Sequence, residues 1–194
     1  MKTLKTIIAI LALTIFTFSC SKDDVVTSIP AVLAPWQDPL SEYLVISGFG
    51  ERKENVFDSS INRGLSFIPL VNGKITAIVT KLPGVRSGLR ATIWDKASGI
   101  ALRTELIDVN TINDTTIKQI IPLDVLKDKE YYITLNTNIF YYRTKRDGTN
   151  ATYPFIIGDI KITSYAISSS NAQVMPNIIQ TDFYGGDCSF KFQK

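Results

Sequence analysis

Side chains able to do chemistry are densest between Phe140 and Tyr153, where Phe140, Tyr141 and Tyr142 are followed by Arg143, Lys145, Arg146, Asp147, Asn150 and Tyr153. Aromatic faces stack on sugar rings while Arg, Asp and Asn hydrogen-bond hydroxyls, and loops on a rigid β scaffold are where such groups gather. As a ligand loop, this segment offers Tyr141, Arg143, Arg146 and Tyr153 as contacts. As a plain hairpin, it packs Phe140 and Tyr142 inward and exposes a charged tip at Asp147-Gly148. Trp94 poses the same choice. Leu89, Ala91 and Ile93 share one strand face and Trp94 the other, so it is either a core residue or an exposed stacking platform. A glycan binder would present Trp94, Tyr141, Tyr153 and Tyr184 as an aromatic strip.

Other chemistries are bounded by composition. The 194 residues include no histidine and only two cysteines, Cys20 and Cys188. Histidine is the usual general base near neutral pH, so Ser-His-Asp and Cys-His sites are excluded. Two cysteines are too few for a thiolate zinc centre or a disulfide framework, and Cys188 reads as a small buried hydrophobe. Asp182 and Asp187 flank a Gly185-Gly186 turn, but calcium needs six to eight oxygen ligands, so the segment reads as an ordinary turn with no metal. Paired carboxylates serve glycoside hydrolysis; the 18 acids are spread along the chain, and none of their pairs stands out. The expectation is a non-catalytic protein without cofactors, with a histidine-free carboxylate hydrolase as the remote alternative.

The elements that must position these residues read as strands. With 45% apolar and 20% charged residues the composition is that of an ordinary globular domain. From Tyr43 onward, short runs rich in Ile, Val, Thr, Tyr and Phe alternate with Gly, Asn, Asp and Pro clusters. Strands are predicted near 44–49, 65–70, 74–80, 89–95, 102–109, 116–121, 131–136, 139–142, 153–157, 160–166, 178–183 and 189–192. Ile117, Gln119 and Ile121 share one face, and Tyr131, Ile133 and Leu135 another; both sets are core candidates. A helical turn is expected at Val125-Leu126. The fold class is all-β, a two-sheet antiparallel β-sandwich, jelly-roll-like, over residues 41–194.

Residues 1–19 read as a cleaved signal peptide: Lys2 and Lys5 precede an apolar run from Ile7 to Phe18, too short to span a bilayer as a helix. Ser19-Cys20 ends that run as a lipobox does, which makes Cys20 the first mature and lipidated residue. Ser21, Lys22, Asp23 and Asp24 resemble the surface-export signals of Bacteroidetes lipoproteins. Residues 20–40 then form an extended linker containing Pro30, Pro35 and Pro39, and Trp36 is expected to plug onto the domain. Cleavage removes Lys2 and Lys5, leaving 19 basic and 18 acidic residues, a balance of +1. Such a chain has no electrostatic pull toward nucleic acid.

Gly73-Lys74-Ile75-Thr76-Ala77-Ile78, Gly88 to Asp95 with Trp94-Asp95, Ser98-Gly99 to Leu102, and Leu126 with Tyr131-Tyr132-Ile133 resemble the strand and turn pattern of some uncharacterised bacterial β-sandwich domains. The likeness spans about Leu65 to Leu135. It implies a carbohydrate-binding-module-like sandwich on a cell-surface protein, and glycan contact only by analogy. Asp114-Thr115-Thr116 resembles the O-glycosylation acceptor motif of Bacteroidetes, with Thr115 modified. The expected protein is an outer-membrane, surface-exposed lipoprotein, held by its N-terminal lipid. It binds a polymer such as glycan or docks as an accessory subunit onto an outer-membrane protein complex.

Mass spectrometry of the protein extracted from its native membrane is expected to find a mature chain that begins at Cys20 with diacylglycerol on its sulfur. A free thiol at that residue, or an uncleaved leader, overturns the envelope assignment.

Overall fold

Among the described residues, β-branched and aromatic runs separated by tight turns become eleven strands and one helix. The computed structural model describes residues 35–46 and 48–194. The expected signal peptide, Cys20, the Ser21-Lys22-Asp23-Asp24 stretch and most of the expected linker lie outside the described residues. The elements are α1 (Pro39–Ile46), β1 (Phe49–Pro69), β2 (Gly73–Lys81), β3 (Arg86–Asp95), β4 (Ala101–Val109) and β5 (Thr115–Val125). They continue with β6 (Tyr131–Lys145), β7 (Phe155–Ile157), β8 (Ile160–Ile167), β9 (Ile178–Gln180), β10 (Tyr184–Gly185) and β11 (Asp187–Gln193).

These strands form two antiparallel sheets. The larger has the order β4-β3-β6-β1-β8-β7, with β10 added to β6 and β9 to β8, and the smaller is β11-β2-β5. The chain passes between sheets at β1 to β2, β2 to β3, β4 to β5, β5 to β6 and β10 to β11. That winding makes the molecule an all-β, jelly-roll-like sandwich. Leu65, Phe67, Ile93, Ile133 and Leu135 of the large sheet share one core with Ile75, Ile78, Phe190 and Phe192 of the small sheet. The Phe67 and Phe190 rings meet directly between the layers, 4.3 Å apart. Tyr131, Ile133 and Leu135 are buried as predicted.

The centre of the large sheet is β1, which pairs with β6 on one side and β8 on the other. At Gly64 these backbones come so close that an added Cβ would lie 1.8 Å from the Ile133 carbonyl oxygen. Only glycine is accommodated there.

Both faces of the large sheet are covered. Trp94, Tyr132 and Ala166 form a second cluster on the face opposite the main core, with Met175 packed against it. Met175 belongs to a crossing segment held by the Asn62 amide, which donates to the Ala172 carbonyl at 2.7 Å, and by Arg90, which donates to the Asn171 carbonyl at 2.6 Å.

Several expectations fail for local reasons. The strand expected over 44–49 is instead α1, which ends at Ile46. Asp38 caps this helix: its carboxylate accepts from the Ser41 amide at 3.2 Å, Glu42 accepts from the Asp38 amide at 3.4 Å, and Pro39 takes the first helical position. Trp36 does not plug onto the domain, being 59% exposed. The docking falls one residue later, where Gln37 exchanges backbone hydrogen bonds with Phe192 and its side chain accepts from the Asp159 amide at 2.8 Å. Ile117, Gln119 and Ile121 face solvent, Ile121 at 73% exposure. The β2–β5 register breaks between Ile75 and Ala77, and across that irregularity Ile120, then Leu123 and Val125, turn inward. Val125 closes β5, and no helical turn follows; Asp128 adopts a φ of 61° in the turn after it. β1 also begins well before residue 65, and the runs expected at 131–136 and 139–142 are one strand, β6.

Gly64→Ala is expected to destabilise the fold by about 3 kcal/mol, since neither backbone can yield without breaking the ladder. Urea unfolding at pH 7 reads this as a lower midpoint.

Candidate functional site

A cavity of about 160 Å³ opens between the middle of β1 and the segment leading into β10. β1 supplies Phe57, Ile61 and Arg63, β6 supplies Phe140, β8 supplies Tyr165, and Phe183 comes from the turn before β10. The β1–β6 register breaks between Val56 and Ile61, so the stretch holding Phe57 leaves the ladder. Phe57, 50% exposed, lies parallel to Phe140 with ring centroids 5.6 Å apart. On the other side Tyr165 and Phe183 are 5.1 Å apart, and Phe183 stacks on Tyr142 at 5.0 Å. The turn must stay thin for these groups to meet. A Cβ at Gly185 would sit 2.6 Å from the Phe183 ring, and one at Gly186, whose φ is +74°, would press on the Arg63 stem at 3.1 Å.

Arg63 lies at the base of this cavity with 2% of its surface exposed. Its guanidinium carbon is 3.6 Å from the Phe140 centroid and 5.3 Å from that of Phe57. Nε and Nη2 have no hydrogen-bond partner among the described residues. Burial pulls its pKa down, and the adjacent Tyr165 hydroxyl works the other way. Burial pushes the Tyr165 phenol up to about 12, against the pull of Arg63, so it remains protonated at neutral pH. A buried cation without a carboxylate carries a large desolvation penalty, which cation–π contact offsets only in part. The cavity lining includes no carboxylate.

The residues predicted from sequence are placed differently. Trp94 is core on the outer face of the large sheet, where its indole N–H donates to Thr134 Oγ1 at 3.0 Å. Tyr141 and Tyr184 are buried as well. Burial holds the Tyr184 phenol well above its ordinary value. Tyr153 is half-buried and donates to the Phe183 carbonyl at 3.1 Å, which ties the 140–153 hairpin to the cavity wall without lining it. The expected strip of Trp94, Tyr141, Tyr153 and Tyr184 is therefore absent from the surface, because the β pleat and the covering segments turn these rings inward.

Arg143 is committed elsewhere. Its Nε and Nη2 donate to the two Asp187 carboxylate oxygens at 3.0 and 2.5 Å. Burial disfavours its charge, but Asp187 outweighs burial and holds the guanidinium above its ordinary value. Asp187 serves this pair, and Asp182 lies exposed across the turn. Arg146 is exposed at the hairpin tip, and its amide donates to the Gly48 carbonyl at 3.0 Å. Burial pushes the Cys188 thiol up to about 12, so it carries no thiolate at neutral pH. Thr115 is exposed at the start of β5, where its amide donates to Asp114 at 2.7 Å. No group of three or more acids or cysteines close enough to hold a metal occurs among the described residues.

Sequence reasoning missed Phe57, Arg63, Tyr165 and Phe183. One signal was legible. In Ile61-x-Arg63-x-Leu65-x-Phe67 a charge occupies an apolar beat of a strand.

By fold and site, the chain is an antiparallel β-sandwich with an aromatic-walled cavity over a buried arginine. No protein-family model matches it, and no curated protein does.

Asp187→Asn is expected to cost about 3–5 kcal/mol, because it leaves the Arg143 charge buried and unpaired. Arg143→Met combined with Asp187→Leu should recover most of that loss. Urea unfolding of the three proteins at pH 7 checks both outcomes.

Proposed function

We propose that this chain is a lipid-anchored, non-catalytic cell-surface sandwich that binds a polymer, glycan in the first place, through the cavity over Arg63. The observation that carries this reading is a pair of rings that reach the surface beside the cavity, Phe57 at 50% exposure and the partly buried Phe183, backed by the buried Phe140 and Tyr165. Ring faces of this kind stack on the apolar faces of sugars, and a cavity too small for a whole oligomer suits one unit of a longer chain. The location rests on the leader, Cys20 and the Ser21-Lys22-Asp23-Asp24 stretch.

One observation favours a second reading, an accessory subunit of an outer-membrane protein complex. Val45, Ile46 and Ile156 line a surface groove of about 410 Å³ beside α1, with Val45 81% exposed. Exposed apolar side chains grouped in this way mark protein contacts when the patch is large.

Glycan arrays probed with the detergent-solubilised lipoprotein are expected to give polymer hits that weaken about tenfold in Phe57→Ala, the loss of one ring stack. Silent arrays, together with co-purification of an outer-membrane protein that Val45→Asp abolishes, would transfer the assignment to the second reading.

A further inference from the structure

Arg63 and Arg143 stand close to the same Gly185–Asp187 turn, and only one of them has an acid. Arg143 is satisfied by both oxygens of Asp187. Arg63 is more deeply buried, yet Nε and Nη2 are without hydrogen-bond partners among the described residues, and no ion pair includes it. A guanidinium fork is shaped for two parallel hydrogen bonds to a carboxylate, and the edge formed by Nε and one terminal nitrogen is one of the two edges that make them. The Arg143–Asp187 pair uses that same edge.

We infer that the cavity over Arg63 takes the carboxylate of an acidic sugar unit, a uronic acid, with the guanidinium as its paired partner and the surrounding rings against the sugar. The inference rests on the glycan-binding reading and names its ligand class. Three features support it. First, the cavity is small, about 160 Å³, which suits part of one sugar unit and not an oligomer. Second, no acid lines the cavity, so an incoming anion meets no like charge on its walls. Third, the cover is the least constrained wall. Phe57 lies between Val56 and Ile61, where β1 leaves its ladder with β6, and it is the half-exposed ring over the guanidinium. Turning that ring aside exposes the fork without breaking a paired strand. A carboxylate arriving there gains two charge-assisted hydrogen bonds and removes the unpaired buried charge. A neutral sugar gains only stacking.

The test is calorimetric titration of the detergent-solubilised full chain with oligogalacturonate, its methyl ester, a neutral gluco-oligosaccharide and benzoate. Oligogalacturonate is expected to bind at least tenfold more tightly than its methyl ester. Arg63→Gln should abolish that difference, Phe57→Ala should weaken acid and ester alike, and Lys118→Gln on the far sheet should leave the difference unchanged. Far-ultraviolet circular dichroism checks the fold of each variant, and Arg63→Lys, which keeps the charge and loses the fork, carries the test if Arg63→Gln does not fold. Equal binding of acid and ester overturns the inference, as does undiminished preference in Arg63→Gln, while in both cases the glycan reading stands. Binding of benzoate at Arg63 with no response to any sugar overturns the uronic-acid assignment and the glycan reading but keeps the carboxylate site. Silence toward every probe overturns both.

Discussion

The close approach of β1 and β6 at Gly64 is the constraint from which the rest of the large sheet follows. With no side chain at that position, the Ile133 carbonyl occupies space a Cβ would need, and β1 is held in register between β6 and β8. Register then decides faces. Arg63 and Leu65, the neighbours of Gly64, are driven to the inner side, and everything gathered around the guanidinium is attached to one of the three strands that meet there. A shift of one residue would put Arg63 on the opposite face, beneath the crossing segment, and Gly64 on the inner one, and the cavity would not exist.

Arg63, buried, and Arg143, partly buried, show how the same side chain serves opposite ends. Arg143 is neutralised by a bidentate carboxylate and fastens β6 to the start of β11. Arg63 has rings and a phenol for company, an arrangement that lowers the cost of burying charge without removing it. Stability alone would select an apolar residue at such a position. Its retention beneath a partly exposed ring is the kind of local conflict that accompanies binding sites.

The covering of the outer face explains why aromatic content was a poor guide to the site. Trp94 and Tyr132 lie in one cross-strand row with Ser66 and Ser164, small residues that leave space beneath the crossing segment that carries Met175. Large rings beside small neighbours pack as a second core. The cavity rings left near the surface, Phe57 and Phe183, come from a register break and a glycine turn, both outside the aromatic-rich 140–153 segment.

Local chemistry alone determined the all-β class, the turn at Ser98-Gly99, and the inward faces of 131–135, because alternation and turn residues act over a few positions. The proposed leader and Cys20 anchor rest on the same kind of contiguous pattern. The Asp38-Pro39 cap of α1 was equally local, but it was outweighed by the β-branched residues that follow. Tertiary structure decided the rest. Ile117 and Ile121 lost their inward face to an irregularity in pairing with a strand some forty residues earlier, and 49–64 became strand because β6 offered a template. The cavity joins residues 57, 63, 140, 165 and 183, whose separation along the chain leaves no trace in any short window. Which residues meet across a sandwich is set by strand order and register, and those depend on the summed burial of both sheets.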